Sequence, residues 1–288
     1  MTGPMVAGAP ISWGVCEVPG WGHQLPATRV LQEMQSIGLT ATELGPQGYL
    51  PADPAERAEL LSNYGLTVAG GFVPVVLHDP AVDPVPDVRK ALDGFGTSDT
   101  AVLVLAASTG SDGYEGRPEM DTADWSHLLA NLDRIAALAI ERGFTASLHP
   151  HVGTMIEKSD DVWRVLDGSK ISLCLDTGHL LIGGTDPADL AKQAATRIGH
   201  VHLKDVKKKI ARQVTDGEIS YVDGVAAGLY QPLGQGDVDL AGTVAALSAA
   251  GYQGWYVLEQ DMILPEPPPG EGPVAEVRQS LAYLRSLT

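Results

Sequence analysis

Short apolar runs alternate with amphipathic stretches along this chain. The runs are rich in β-branched and other apolar residues, which is typical of buried strands, and a helical pattern follows each of them. Eight such runs can be distinguished: Ile11–Val15, Thr40–Leu44, Leu66–Phe72, Ala101–Ala106, Phe144–His149, Ile171–Asp176, Ile198–Leu203 and Trp255–Glu259. Eight strand–helix units predict an α/β fold, the (β/α)₈ or TIM barrel, which commonly takes about 250 residues.

Helix signals lie between these runs. Asp53-Pro54 and Asp186-Pro187 each place a capping carboxylate before a proline, a combination that starts helices. The segment 205–236 has no clear strand and is rich in Gly, Asp and Tyr. Because long loops at this end of a barrel usually cover the site, we predict that this segment does so.

The length of the chain fits one barrel. At 288 residues it exceeds the usual single-domain size but lies within the range of α/β barrels, so we predict a single domain over residues 1–288. A doubly wound open sheet is the alternative architecture. No G-x-G-x-x-G motif follows an early strand to support it.

Composition and charge narrow the possible partners. With 44% hydrophobic and 19% charged residues the chain resembles a compact enzyme, and its formal charge of −17 argues against nucleic acid. No window approaches the roughly 20 apolar residues of a membrane span, and the first residues lack the pattern of a signal peptide. We therefore expect a cytoplasmic protein that binds neither nucleic acid nor membrane.

Polar side chains close four successive predicted strands. These are His149, Asp176, His202 and Glu259. Because the carboxyl ends of barrel strands meet at one rim, we expect the four side chains to converge there. A mixed His/Asp/Glu set suits a divalent ion such as manganese, cobalt, zinc or magnesium. His151 has the same strand parity as His149 and is the alternative ligand.

Other polar residues admit two interpretations. Glu43 ends the second strand and could act on substrate or as an acid or base, or it could merely cap a helix or pair with an arginine. His200 lies earlier on its strand and is interpreted as a satisfied core residue. Trp13 and Trp21 near the first strand could form an apolar wall for a sugar ring, or they could be ordinary barrel packing.

The residues at these strand ends resemble those of a known family, the xylose isomerase-like barrel superfamily of sugar phosphate isomerases and epimerases. Within it the chain is most similar to the inosose dehydratases. The likeness covers nearly the whole chain. It is carried by the segments Ile11–Val15, Thr42–Pro51, Leu148–Thr154, Leu175–His179, His200–Asp205 and Leu258–Asp261.

The resemblance implies a metal held after the fifth to eighth strands by a carboxylate, an aspartate, a histidine and a glutamate. Asp176, His202 and Glu259 match three of these positions, whereas His149 stands where the isomerases and epimerases usually have glutamate. Epimerisation by two glutamates is therefore in doubt, and dehydration is less affected. The resemblance thus implies removal of water from an inosose, a cyclic ketone, with manganese or cobalt, by a homo-oligomer.

The expected activity is that of a metal-dependent lyase acting through an enolate on a keto-sugar or keto-cyclitol. Such a reaction needs a base beside the ketone and an acid at the departing hydroxyl, and Glu43, His151, His179 and Lys204 are the candidates. Three alternatives stay open at this point: a ketose isomerase or epimerase, a 3-keto-glycoside eliminase, and a non-catalytic sugar-binding barrel.

Overall fold

Ten strands are present in the computed structural model, which describes residues 4–96, 98, 100–111, 113–114 and 116–288. In chain order they are β1 (Met5–Gly8), β2 (Ala41–Glu43), β3 (Thr67–Val76), β4 (Val102–Ser108), β5 (Thr145–Leu148), β6 (Ser172–Asp176), β7 (Ile198–Leu203), β8 (Asp205–Val206), β9 (Tyr230–Gln231) and β10 (Trp255–Leu258). Eight of them close a parallel barrel in the order β1-β10-β7-β6-β5-β4-β3-β2, which confirms the predicted fold.

Helices connect the barrel strands. They are α1 (Ala27–Ser36), α2 (Pro54–Ser62), α3 (Val85–Gly94), α4 (Thr122–Glu141), α5 (Ser159–Gly168), α6 (Thr177–Ile182), α7 (Pro187–Ala194), α8 (Lys208–Thr215), α9 (Tyr221–Ala226), α10 (Leu240–Ala249) and α11 (Val274–Ser286). Asp53 and Asp186 each accept two backbone N–H bonds at the start of their helices, so both predicted starts are confirmed. No helix in the described ranges is both long enough and apolar enough to cross a membrane.

The first barrel strand lies earlier than the sequence predicted. Met5–Gly8 pairs with β10 on one side and with β2 on the other, whereas the predicted strand Ile11–Val15 overlaps a 3₁₀ helix at Pro10–Trp13. Proline has no N–H to give to a sheet and its fixed φ suits the first turn of a helix. Gly14, with φ +77°, then ends the turn.

The segment 205–236, called the excursion below, is more ordered than predicted. It contains α8 and α9, and β8 pairs antiparallel with β9. Asp205 joins the start of the excursion to its end, a region called its neck below. Its Oδ2 accepts N–H bonds from Gly234 and Gly236, and its Oδ1 accepts one from Val238. The prediction that this segment has no clear strand is therefore wrong for these two short pairs of residues. Strands of two residues are too short to leave a period-two pattern in the sequence.

Candidate active site

The four predicted metal ligands lie together at the carboxyl rim of the barrel. His149 directly follows β5, Asp176 ends β6, His202 lies near the end of β7, and Glu259 directly follows β10. One donor atom from each lies within 4.8 Å of those of the other three. Three of the side chains are buried, and that of Glu259 is 13% exposed. The structure thus forms a cluster of two imidazoles and two carboxylates.

Asp176 uses its two carboxylate oxygens differently. Oδ1 accepts the backbone N–H groups of Gly178 and His179, each at 2.8 Å, and so caps α6. Oδ2 faces the cluster, 3.2 Å from Nε2 of His149 and 3.6 Å from Nδ1 of His202. Burial alone would raise the pKa of Asp176, but Lys204, His179 and bonds from the neighbouring imidazoles lower it well below its usual value. The side chain is therefore an anion held in one orientation.

Glu43 lies behind the cluster and not within it. Its Oε1 is 2.8 Å from Nε2 of His200 and 3.0 Å from Nε2 of His202. Its partners are thus two imidazoles. The sequence alone allowed Glu43 to pair with an arginine or to cap a helix instead. Burial alone would raise the pKa of Glu43, but His202 and His200 hold it well below its usual value. An ionised carboxylate only accepts, so each Nε2 donates to it.

This arrangement tests whether the cluster fits a metal ion. Burial alone would lower the pKa of His202, but Cys174, Glu259 and Glu43 raise it well above its usual value, so without an ion both ring nitrogens carry protons. Nε2 donates to Glu43, and Nδ1 faces Glu259 Oε2 at 2.5 Å. Among the described residues neither of these buried atoms has a well-formed hydrogen bond. A divalent ion would replace the Nδ1 proton between these two atoms, and imidazole with carboxylate is a donor set that such ions accept. The four clustered side chains therefore fit a divalent metal ion.

The geometry favours His149 over His151 as the ligand. His149 Nε2 faces Asp176, whereas His151 lies outside the cluster with its Nδ1 2.7 Å from the carbonyl oxygen of Val152. A carbonyl only accepts, so Nδ1 of His151 carries a proton. Burial lowers the pKa of His151 to about 3, so at neutral pH its Nε2 carries a lone pair. Its ring packs on His179 with 3.7 Å between centroids.

Lys204 is a buried cation at the edge of the cluster. Its Nζ lies 2.5 Å from Asp261 Oδ1, 3.2 Å from His179 Nε2, 3.6 Å from Glu259 Oε2 and 3.7 Å from Asp176 Oδ2. Burial alone would lower the pKa of Lys204, but Asp261, Glu259 and Asp176 raise it well above its usual value. The ammonium therefore stays charged, within reach of two predicted ligands.

Three residues that the sequence reasoning missed complete this region. Asp261, Tyr221 and Tyr230 are buried, and the Tyr221 hydroxyl donates to Asp261 Oδ2 at 2.8 Å. Tyr221 and Tyr230 belong to the excursion, so that segment does cover the rim. Asp261 could have been found, because it lies two residues beyond Glu259 and shares its parity. The tyrosines gave no signal apart from the composition of their segment.

The predicted tryptophans lie in different places. Trp13 is fully buried in the main core, and its Nε1 donates to Glu33 Oε2 at 2.8 Å. The prediction of a substrate wall is corrected for Trp13, because the 3₁₀ turn carries the indole toward α1. Trp21 packs in a second apolar cluster that contains Tyr221 and Tyr230, and its Nε1 donates to the Met262 carbonyl. A substrate contact by Trp21 stays a prediction.

Two further aromatic rings stand at the mouth of the site. Phe72 on β3 is 38% exposed, and its centroid lies 6.0 Å from those of both His149 and His151. Tyr114 stacks on His151 at 5.9 Å and contacts Tyr221 at 4.7 Å. An exposed phenylalanine beside polar groups offers an apolar surface to one face of a ligand.

The amino-acid sequence is similar to those of known proteins along most of its length. The family model described as xylose isomerase-like TIM barrel matches residues 31–287. An inosose dehydratase of Geobacillus thermodenitrificans is 30% identical over 264 residues, 88% of each chain. The rhizopine catabolism protein MocC of Rhizobium meliloti is 32% identical over 266 residues, covering 88% of this chain and 80% of its own.

Solved structures share the fold at lower identity. L-ribulose 3-epimerase superposes with a TM-score of 0.70 at 15% identity, covering 99% of this chain and 94% of its own. The IOLI protein, whose structure contains a bound zinc atom, superposes with a TM-score of 0.68 at 13% identity and 98% coverage of both chains.

Proposed function

Because the chain belongs to the xylose isomerase-like TIM barrel family, we propose that it is a metal-dependent lyase that removes water from an inosose or a related keto-cyclitol. The observation that carries the proposal is the convergence of four donor atoms beside a buried lysine. Relatives named inosose dehydratase, similar along 88% of the chain, support this choice of substrate and reaction.

His149, Asp176, His202 and Glu259 would hold the ion. His202 Nδ1 and Glu259 Oε2, both buried without a well-formed hydrogen bond, support this assignment, and the zinc atom in the structure of the IOLI protein supports a divalent ion. Manganese, cobalt, zinc and magnesium are the candidates, since ligand types alone do not select among them. When bound, such an ion supplies Lewis acidity that stabilises negative charge on the ketone oxygen by several kcal/mol.

His151 is the proposed base. Its Nε2 carries a lone pair because Nδ1 is fixed as a donor to the Val152 carbonyl. The ring lies beside the exposed Phe72, where a substrate ring would pack. His179 is less suitable, since its Nε2 accepts from Lys204. A base at this place would take the proton on the carbon next to the ketone.

Lys204 is the proposed acid and charge stabiliser. Its ammonium is buried, and two of its contacts are oxygens of predicted ligands, Glu259 and Asp176. From that position it would donate to the departing hydroxyl or to the developing enolate oxygen. Glu43, which faces two imidazoles, is better placed to orient His202 than to exchange protons with substrate.

An experiment with a substrate panel tests the proposal. Wild-type protein incubated with an inosose is expected to form a dione whose enol tautomer absorbs in the ultraviolet, and a chelator is expected to abolish this activity until divalent metal is restored. Parallel incubation with ketoses and 3-keto-glycosides separates dehydration from isomerisation, epimerisation and elimination. Epimerised ketose without dehydration of the inosose would favour the runner-up, and turnover that survives the chelator would rule out the metal-dependent mechanism.

Replacing Glu43 by glutamine is expected to weaken metal binding. The amide keeps the shape of the side chain but loses the charge that orients the Nε2–H of His202. Removing such a partner of a metal-binding histidine typically costs about 10- to 100-fold in affinity. Competition with a fluorescent chelator measures the change, and Glu33→Gln serves as the control, since Glu33 also accepts a ring N–H, from Trp13. Equal metal affinities for Glu43→Gln and wild type would contradict this role.

A further inference from the structure

Lys204 belongs to a closed ring of hydrogen bonds formed by five side chains, and no step of the proposed reaction accounts for this ring. Lys204 Nζ contacts Asp261 Oδ1 at 2.5 Å, and Asp261 Oδ2 accepts from Tyr221 at 2.8 Å. The hydroxyls of Tyr221 and Tyr230 are 2.9 Å apart. Tyr230 lies 3.5 Å from Nδ1 of His179, whose Nε2 is 3.2 Å from Lys204. All five side chains are buried.

The donors and acceptors of the ring fall into one order. Tyr221 gives its single proton to Asp261, so the proton between the two phenols comes from Tyr230. Burial raises the pKa of Tyr221 and Tyr230 well above the usual value, so both phenols stay protonated. Lys204 has no acceptor, so His179 Nε2 accepts from it, and the proton of the neutral imidazole is on Nδ1. Nδ1 lies 3.5 Å from the Tyr230 oxygen and 3.4 Å from the backbone nitrogen of Val152, and of these two only the Tyr230 oxygen can accept its proton.

We propose that Tyr221, Tyr230 and Asp261 are positioning residues that fix the direction of Lys204 toward the metal-bound substrate. An ammonium group has three N–H donors. Asp261 and His179 take two of them, which leaves the third for Glu259 Oε2 and Asp176 Oδ2, at 3.6 and 3.7 Å from Nζ. The ring thus leaves one proton of Lys204 for the reacting oxygen.

The ring also separates charges. Asp261 is the carboxylate nearest to Lys204, at 2.5 Å, whereas Asp176 and Glu259 are more than an ångström farther away. Asp261 therefore neutralises the lysine, and the other two carboxylates keep their charge for the metal. Without Asp261, Lys204 would be drawn to the predicted ligands and would compete with the ion.

Tyr221, which belongs to the excursion, can be substituted without altering a charge in the ring. Tyr221→Phe keeps the aromatic ring but removes the hydroxyl that fixes Asp261. We expect kcat for the keto-cyclitol to fall about tenfold with KM changed less than about twofold, since a positioning bond acts on the reacting geometry more than on binding. Tyr252→Phe is the matched control, because its hydroxyl donates only to the Trp255 carbonyl.

A second measurement needs no substrate. In zinc-loaded protein labelled with ¹⁵N-lysine, the buried ammonium of Lys204 should give a ¹H–¹⁵N signal, identified by its loss in Lys204→Arg. Tyr221→Phe is expected to broaden or shift this signal, and Tyr252→Phe to leave it unchanged. An unchanged signal, or a changed signal with an unaltered kcat, overturns the inference.

Of the two measurements, only that of kcat rests on the proposed function; the lysine signal does not depend on it. If the wild type turns over neither keto-cyclitol nor ketose, the proposed function fails, and the lysine signal then decides by itself whether the ring holds Lys204. If the wild type is active and Tyr221→Phe matches it in kcat and in the spectrum, the ring has no positioning role and the proposed function stands.

Discussion

Replacing Asp176 by asparagine is expected to remove the bound metal and to lower kcat/KM by at least about 10³-fold. The asparagine keeps the oxygen that caps α6 at Gly178 and His179. Its amide nitrogen would take the place of Oδ2, next to His149 Nε2 and His202 Nδ1. An NH₂ group is not a ligand, and losing several kcal/mol of charge stabilisation corresponds to this factor. Elemental analysis after dialysis and initial rates measure both effects.

Asp186→Asn is the matched control for this substitution. Asp186 also caps a helix by accepting two backbone N–H bonds, from Ala188 and Asp189, but it is exposed and lies just before α7. It should keep one metal ion per chain and the wild-type rate. Asp176→Asn protein that retained both its metal and its activity would refute the assignment of Asp176 as a ligand.

Replacing Lys204 by methionine is expected to lower kcat by about 10²- to 10⁴-fold, the usual contribution of a positioned acid or base, with the metal still bound. Methionine fills similar space but carries no proton and no charge. It also leaves Asp261 as a buried carboxylate without its cation, which typically costs about 3 to 5 kcal/mol of stability. The double variant Lys204→Met with Asp261→Asn removes that unpaired charge and keeps the test usable if the single variant does not fold.

The measurements separate chemistry from binding. Elemental analysis should show one ion per chain in the lysine variants, in contrast to Asp176→Asn, while rates fall in both cases. Lys192→Met is the control, since Lys192 is an exposed lysine on α7 that pairs with Asp189. A normal kcat in Lys204→Met would exclude Lys204 as the acid.

The sequence was sufficient for the barrel and for the cluster of four side chains at its rim. Seven of the eight barrel strands overlap the predicted runs, because buried parallel strands leave continuous apolar segments. His149, Asp176, His202 and Glu259 were recognisable because each is a polar residue where such a segment ends, and strand ends of a barrel meet at one rim. Metal binding and the catalytic roles remain predictions until tested.

What the sequence could not show depends on contacts between distant segments. Trp13 and Trp21 are both tryptophans near the first strand, yet one packs against α1 and the other faces the excursion. Tyr221 meets Asp261 across 40 positions of sequence. No local pattern encodes such a meeting, because it follows from how the excursion folds back over the rim.

The neck of the excursion has an evolutionary consequence. Asp205 ties both ends of the segment together, and β8 and β9 pair beside it, so the segment leaves and rejoins the barrel at one place. A unit attached in this way can be exchanged for another of different length with little strain on the surrounding strands. Descendants of such a scaffold could therefore acquire a new lysine environment, and with it a new substrate preference, while inheriting the four clustered side chains at the rim intact.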